Sequence, residues 1–492
     1  MGSPAPAGVG PSLDGPRVSG ISDAAPVEAD GPTGGPASTV AANGPAANGP
    51  AAAGVRAPGP TRAERTGERA RTALVGLRRY TRPPTQLVTV ERARTLARRR
   101  LPRVVFDYLD GAAETETTAR ANRRAMLEVT FRPRMGVTAG VPAPDLATTV
   151  LGHPVSMPVL LSPIGFTRSM NAAGDVAGAR AAGTAGTIFT LSSMSGHTIE
   201  EVAAAGTGPL WFQLYFLGGR RGAAQLVERA ARAGFEALVV TMDTQIPGNR
   251  ERDLRHRASM PLRFDPAHVA RYAPQVAVRP GWLADATADR FQLTIANATT
   301  LGPPDRPFTV DEALIEWAGA PPRWEDFEWL RREWPGPVIA KGIVTADDAR
   351  RAVDAGCAAI IVSNHGGRQL DGLPGSLASL VEVLDAVGHQ VEVLVDGGIR
   401  RGSDVVRAVA IGARAVMVGR AWAYGLAAGG QPGVDQILAL LRSDTDRTLR
   451  VLGCGSVTEL SADFVDVPAA WHRPAPKAPT TRRRSAGGPP KA

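Results

Sequence analysis

Cysteine is almost missing: Cys357 and Cys454 are the only two among 492 residues. Two thiols make neither a disulfide framework nor a cysteine-rich metal site, so a reducing cytosol is the natural setting. Long apolar runs are missing too; none reaches the ~18 residues that a membrane-spanning helix needs. The start, MGSPAPAGVG, has no basic stretch followed by an apolar one, so no secretory signal is expected there. Lysine occurs three times, at Lys341, Lys477 and Lys491, against 53 arginines. A GC-rich genome tends to replace lysine with arginine in this way. Lys341 is the one lysine outside the tail. Either chance preserved it, or a compact ammonium acts there as a planar guanidinium cannot. What the chain does have is 43% hydrophobic and 21% charged residues. That excludes a wholly disordered protein and supplies a large core. The length suits two to four domains, or one α/β barrel with tails.

The net charge of +9 is unevenly spread. Arg62 to Arg103 carries thirteen arginines against Glu64, Glu68 and Glu91, about +10, and residues 471–492 add about +6. The remainder is therefore mildly acidic, about −7. The basic segments read either as solubilising or anchoring arms, or as surfaces touching phosphate or anionic lipid. No nucleic-acid partner is expected. The expected location is cytoplasmic, with peripheral contact at the inner membrane face through the basic arm as its variant.

Residues 1–60 are dominated by Gly, Pro and Ala, with a local repeat AANGPAANGPAAAG at 41–54. Such a stretch buries too little apolar area to offset its ordering entropy. A disordered arm, Arg-rich in its second part, is expected over 1–84, a folded body over 85–470 and a basic tail over 471–492. The spacing of Leu96, Leu101, Val105 and Tyr108 predicts a helix over about 89–113.

From 155 onward, eight short apolar runs appear: 158–165, 187–193, 209–216, 237–243, 337–342, 358–364, 391–398 and 415–420. Runs this apolar and this short suit strands buried on both faces of a parallel sheet. Amphipathic stretches follow them at 174–186, 198–205, 219–234, 321–334, 345–356, 376–388, 402–412 and 432–452. Eight alternating units predict an α/β fold, a closed (β/α)8 TIM barrel, with an open doubly wound sheet as the alternative. The interval 244–320, after the fourth run, is far longer than the usual two to six residues. It reads as a lid or docking loop, or as a tolerated, partly disordered insertion, with Trp282 and Trp317 arguing for partial order.

In such a barrel the reactive groups sit at the C-terminal ends of the strands. Those ends carry Ser192, Gln213, Tyr215, Thr241, Asp243, Lys341, Ser363, Asn364, His365, Asp396 and Arg420. The stretch DGGIRRGSD (396–404) places Gly397, Gly398 and Gly402 before a helix, and VGR (418–420) precedes a short turn. Glycines let a backbone approach a phosphate, with Arg400 and Arg420 adding charge; simple turns are the plain alternative. The sharpest feature is SNHGGRQLD (363–371). His365 can titrate near neutral pH, and Arg368 can pair bidentately with a carboxylate. His153, His197, His256, His268, His389 and His472 read as surface or loop residues. No histidine or carboxylate cluster has metal-ligand spacing, so no metal is expected.

SNHGGRQLD, with the Lys341-Gly342 strand end, DGGIRRGSDV and VGR, resembles the flavin mononucleotide (FMN)-dependent 2-hydroxy acid oxidases and dehydrogenases. That family includes glycolate oxidase, lactate oxidase, mandelate dehydrogenase and L-lactate dehydrogenase. The resemblance spans roughly 89–465 and takes in LPRVVFDYLDGAAE (101–114), FRPR (131–134), TLSS (190–193), FQLY (212–215) and NRERD (249–253). It implies that Pro163, Ile164, Gly165, Ser192, Gln213, Thr241, Lys341, Ser363, Asp396, Gly397, Gly398, Ile399, Arg400, Gly419 and Arg420 hold FMN. It implies His365 as the catalytic base, Asp243 as its carboxylate partner, and Lys341 beside the flavin's N1 and C2 carbonyl. Arg250 and Arg368 would clamp a substrate carboxylate, and Tyr108 and Tyr215 would hydrogen-bond the substrate. It further implies a homo-oligomer, a tetramer.

The implied chemistry is oxidation of a lactate-like or somewhat larger L-2-hydroxy acid to the 2-oxo acid, with electrons passing to flavin and then to oxygen or another acceptor. Two guanidinium groups orient the α-carbon, His365 accepts a proton, and Asp243 stabilises the imidazolium. Three departures from the family pattern stand out. Met194 replaces an aromatic residue of glycolate oxidase, Gly165 an alanine of many oxidases, and the residues just before NRERD differ. Met194 points to a reshaped pocket and away from glycolate, while Gly165, in the turn expected at the flavin's reactive edge, bears on oxygen reactivity. A second enzymatic reading is a mycofactocin-type flavin oxidase acting on a peptide-derived substrate, because GGIRRGSDVVRAVAIGARAVMVGRA (397–421) resembles that subgroup. Against it, the subgroup lacks the Arg368-Gln369 pair. A third is a barrel without catalysis that binds anionic partners through its basic arms; His365, Arg368 and Arg250 argue against it.

Overall fold

The computed structural model describes residues 86–137, 143–256, 266–303 and 305–472. The arm expected over 1–84 and all but the first residues of the tail lie outside the described residues. Eight parallel strands form a closed barrel: β1 (Val159–Leu161), β2 (Phe189–Ser192), β3 (Leu210–Leu214), β4 (Ala237–Thr241), β5 (Val338–Ile343), β6 (Ala359–Val362), β7 (Glu392–Asp396) and β8 (Ala415–Val418). Val416 of β8 pairs with Val159 of β1, which closes the ring and excludes the open sheet. The outer helices are α1 (Gly174–Thr184), α2 (Ile199–Ala205), α3 (Gly219–Arg232), α4 (Asp326–Glu333), α5 (Ala346–Asp354), α6 (Ser376–Val387), α7 (Gly402–Ile411) and α8 (Arg420–Leu452). The fold is a (β/α)8 barrel.

The barrel interior is apolar. Leu160, Ile188, Trp211, Val239, Ile339, Ile361, Leu394 and Met417 form one fully buried cluster. Side chains alternate faces along a strand, so the same inward face recurs two residues on. There it reaches Ser162, Thr190, Gln213, Thr241, Lys341, Ser363, Asp396 and Gly419, with Ser192 two further. The polar crown is thus the continuation of the core register beyond the last apolar layer. At the other end, the antiparallel strands Thr148–Val150 and His153–Val155 cap the barrel. Val150 and Val155 join the interior cluster, and Leu151 N–H donates to Glu392 Oε2 at 2.9 Å.

Some boundaries differ from expectation. The helix expected over 89–113 is two helices, Val90–Arg100 and Arg103–Asp110, because Pro102 stands between them. The stretch at 418–420 does not precede a turn: Gly419 caps α8, which is helical from Arg420 onward. That helix breaks at Gly429 and Gly430, and Pro432 falls in the first turn of its second half, the part expected over 432–452.

The long interval after β4 is largely helical among its described residues. It contains Glu251–Arg255, Pro266–Ala277, Pro280–Ala288 and Val310–Gly319. It is also fastened to the barrel. Trp282 donates its indole N–H to Ser169 O at 2.8 Å, and Arg168 grips Asp289 through two bonds of 2.7 and 2.6 Å. Asn297 accepts from Ile199 N–H at 3.1 Å. Residues 257–265 and 304 of the interval lie outside the described residues.

Candidate active site

A cavity of about 520 Å³ opens at the C-terminal ends of the strands, within the usual range for small-molecule sites. It is lined by Tyr108, Pro163, Ile164, Gly165, Ser192, Gln213, Tyr215, Thr241, Arg250, Lys341, His365, Arg368, Asp396, Gly397, Gly398, Ile399, Arg400, Gly419 and Arg420. Of the site residues that the resemblance implies, Asp243 and Ser363 stand behind this lining, each bonded to a residue that forms it; Asn364 and Gly402 also lie outside it.

His365 follows β6 with φ +57°, and Gly366 and Gly367 continue in positive φ at +63° and +76°. Three such residues in succession turn the chain sharply and lift the imidazole into the mouth. The ring is held from behind: Nδ1 lies 2.9 Å from Asp243 Oδ1, while Nε2 lies 3.5 Å from the Tyr215 hydroxyl. A carboxylate at Nδ1 selects the tautomer with its proton there and leaves Nε2 as the basic nitrogen. Burial alone would raise the Asp243 carboxyl pKa. The charge and hydrogen bond of His365, with Lys341, outweigh burial and hold it below its ordinary value. Asp243 approaches this closely because Gly342 has no side chain; a Cβ there would come 2.6 Å from Asp243 Cβ.

Lys341 is 4% exposed, with Nζ 3.1 Å from Asp396 Oδ2 and 2.8 Å from Ser363 Oγ. Burial pushes its ammonium pKa down, but Asp396 and Asp243 more than reverse this and raise it. The lone body lysine is therefore a fixed buried cation. Ser363 Oγ also accepts from His365 N–H at 3.0 Å and so links the two groups.

Two guanidinium groups bracket one aromatic ring. Arg368 lies 4.8 Å and Arg250 5.5 Å from the Tyr108 ring centre. Arg368 Nη1 donates to the carbonyls of Tyr108 and Gly111 at 2.7 and 2.9 Å. Arg250 has Asp253 at 3.4 Å. Burial, and then the neighbouring Arg250 charge, push Arg368 down to about 10. Two cations this close lose repulsion when an anion enters between them. Arg420 differs: it donates to the carbonyls of Leu109, Gly366 and Gly111 at 3.2, 2.8 and 2.7 Å, which ties the Tyr108 segment to the loop after β6.

Several buried polar atoms around the cavity have no protein partner: Ser162 Oγ, Gln213 Nε2, Thr241 Oγ1 and Asp396 Oδ1. Unpaired buried polar atoms are unfavourable by about 1–3 kcal/mol each. A planar ligand whose edge carries both donors and acceptors satisfies them, and FMN has such an edge. Gly397 and Gly398, at φ +93° and +86°, and Gly419 line the same cavity and bring bare backbone to it. The residues present fit the cofactor.

Other participants are not among the site residues that the resemblance implies. Asp110 receives the Tyr424 hydroxyl at 2.6 Å and Arg94 at 2.5 Å, and Arg252 joins Asp110 to Glu116 at 2.9 and 2.5 Å. This network seats the helix that carries Tyr108 against NRERD. Trp317 and Leu314, from the insertion, also line the cavity. Two histidines expected to be surface or loop residues stand in loops and have carboxylates beside them. His197 is buried, 3.9 Å from Asp175, and a Cβ on Gly174 would come 2.8 Å from its ring; His256 lies 2.7 Å from Asp107.

Residues 97–467 match the family model described as FMN-dependent dehydrogenase. A pre-mycofactocin synthase of Mycobacterium tuberculosis (strain ATCC 25618 / H37Rv) is 46% identical over 388 residues, covering 78% of this chain and 96% of that one. A putative L-lactate dehydrogenase of the same strain is 39% identical over 380 residues, 77% of this chain and 89% of the relative. Among solved structures, that of a monotopic membrane protein, (S)-mandelate dehydrogenase, superposes with a TM-score of 0.71 at 38% identity, covering 77% of this chain and 99% of the other. With this cavity at the mouth of this barrel, and relatives matched along nearly their whole length, the chain belongs to the FMN-dependent dehydrogenase family.

Proposed function

We propose that the chain oxidises an L-2-hydroxy acid, lactate-like or somewhat larger, to the 2-oxo acid. The observation that carries this reading is the meeting, at one cavity, of His365 backed by Asp243 at 2.9 Å and the two guanidinium groups of Arg250 and Arg368. A carboxylate between the two arginines relieves their repulsion and fixes the α-carbon beside His365. Nε2 of His365 takes a proton from the substrate, and Asp243 stabilises the resulting imidazolium. Tyr215, 3.5 Å from Nε2, donates to the substrate oxygen as it changes from hydroxyl to carbonyl. FMN supplies the two-electron acceptor when bound. Gln213, Thr241, Ser192 and the 396–400 backbone would hold it, and Lys341 places a buried positive charge in that part of the site.

The second reading, a flavin oxidase acting on the substrate class of pre-mycofactocin synthases, draws support from the 46% identity to such an enzyme, against 39% to the putative L-lactate dehydrogenase. A substrate panel separates the two. Anaerobic L-lactate or L-mandelate is expected to bleach the flavin absorbance of the purified holoenzyme. Bleaching by a peptide-derived substrate and by no hydroxy acid overturns the first reading in favour of the second.

A further inference from the structure

Among the described residues, two carboxylates line the cavity, Asp253 and Asp396. Asp396 is committed to Lys341 at 3.1 Å. Asp253 stands with the arginines and has no part in the chemistry above. The short helix Glu251–Arg255 begins just after Arg250 and folds Asp253 back on it. Asp253 N–H donates to Arg250 O at 3.0 Å, and Asp253 Oδ2 lies 3.4 Å from Arg250 Nε. The two side chains are largely buried, 19% and 25% exposed, so their charges are screened less than in open water. Burial raises the Asp253 carboxyl above its ordinary value, and the charges of Arg250 and Arg368 only partly reverse this. Arg368 responds in turn: burial and the Arg250 charge push it down, and Asp253 opposes them. Asp107 also acts on Asp253 but is engaged elsewhere, by His256 at 2.7 Å and Arg103 at 3.4 Å. Asp253 therefore brings to the arginine pair the same charge that a substrate carboxylate brings.

We propose that Asp253 is a specificity-determining residue, a built-in counter-anion of the Arg250–Arg368 pair that competes with the substrate carboxylate and limits the affinity of the site for anions. This rests on the 2-hydroxy acid reading above and adds what sets the strength of carboxylate binding. An entering carboxylate shares the two guanidinium groups with Asp253 and is repelled by it. Two bare cations would hold an anion more tightly. The same repulsion hastens the departure of the 2-oxo acid product, which is also a carboxylate.

The test uses phenylacetate, a carboxylate with no hydroxyl to be oxidised, and 2-phenylacetamide, its neutral isostere. Binding of each to the holoenzyme is measured by isothermal titration calorimetry. In Asp253→Asn, which keeps the shape and an oxygen for Arg250, phenylacetate is expected to bind about tenfold tighter than in wild type. Binding of 2-phenylacetamide is expected to stay within about twofold. Flavin absorbance reports folding, and Asp253→Ser takes the place of Asp253→Asn should the latter lose its flavin. Phenylacetate binding that is unchanged or weaker overturns the inference, since a carboxylate that only props Arg250 in place gives that result. An equal gain for 2-phenylacetamide, binding of phenylacetate by neither wild type nor variant, or loss of flavin from both variants also overturns it. No bleaching by any hydroxy acid overturns the 2-hydroxy acid reading, a result that the phenylacetate comparison, which needs no turnover, leaves separate.

Discussion

His365 occupies left-handed backbone, φ +57°, which is unfavourable by roughly 1–2 kcal/mol for a residue with a side chain. Ser363, Asp243 and two following glycines hold it there. The placement makes Asp243 the residue on which the imidazole depends most directly. Asp243→Asn is expected to retain the flavin absorbance and to lower kcat/KM by about 10²–10⁴-fold; stopped-flow reduction under anaerobic conditions measures this. The folded-state pKa of Asp243 is depressed. The stability that its charge confers is therefore complete above the ordinary value of 3.8 and is lost only as pH falls through the lower folded value. Lys341 has the opposite sign: its raised pKa confers stability below 10.5 that is lost only above the folded value. Both charges are constant around neutrality, so a limb of the pH–rate profile there reports another group. Much of this was legible in the sequence. Ser192, Gln213, Thr241, Lys341 and Asp396 end apolar runs, and the two-residue period of a strand is enough to place them on one crown.

At the scale of elements, the insertion between β4 and α4 is part of the barrel's working surface. Arg168 and Asp289, 12% and 13% exposed, join it to the loop after β1 that also carries Gly165 and Phe166. Breaking one partner of a buried pair leaves an uncompensated charge. Asp289→Ala is expected to destabilise the protein by about 3 kcal/mol, read from denaturant melts, and to raise KM more than it lowers kcat as the loop beside Met194 loosens. The sequence held no sign of this tie, nor of Asp110 with Arg252. Such contacts join residues more than a hundred positions apart, and no local period records them. The sequence did not show that His197 is buried within its loop, because that burial depends on Gly174 and Asp175 of another element. Trp282 and Trp317 gave the one usable hint, since large indoles in a polar stretch need something to cover them.

At the scale of the whole molecule, the alternation of eight apolar runs with eight amphipathic ones was sufficient to read the barrel, because a closed parallel sheet writes its period along the chain. The capping strands 148–155 were not read, since two three-residue strands carry too little pattern. Their consequence is one of traffic. With Val150, Leu151 and Val155 sealing the floor and Trp211, Ile339 and Met417 filling the lumen, nothing passes through the cylinder's axis. The organic acid and the final oxidant are then expected to share one doorway, at the C-terminal mouth, and to take turns there. Steady-state rates measured against both reactants should give parallel double-reciprocal lines, the sign of a two-stroke cycle; intersecting lines would mean that both visitors are housed at once.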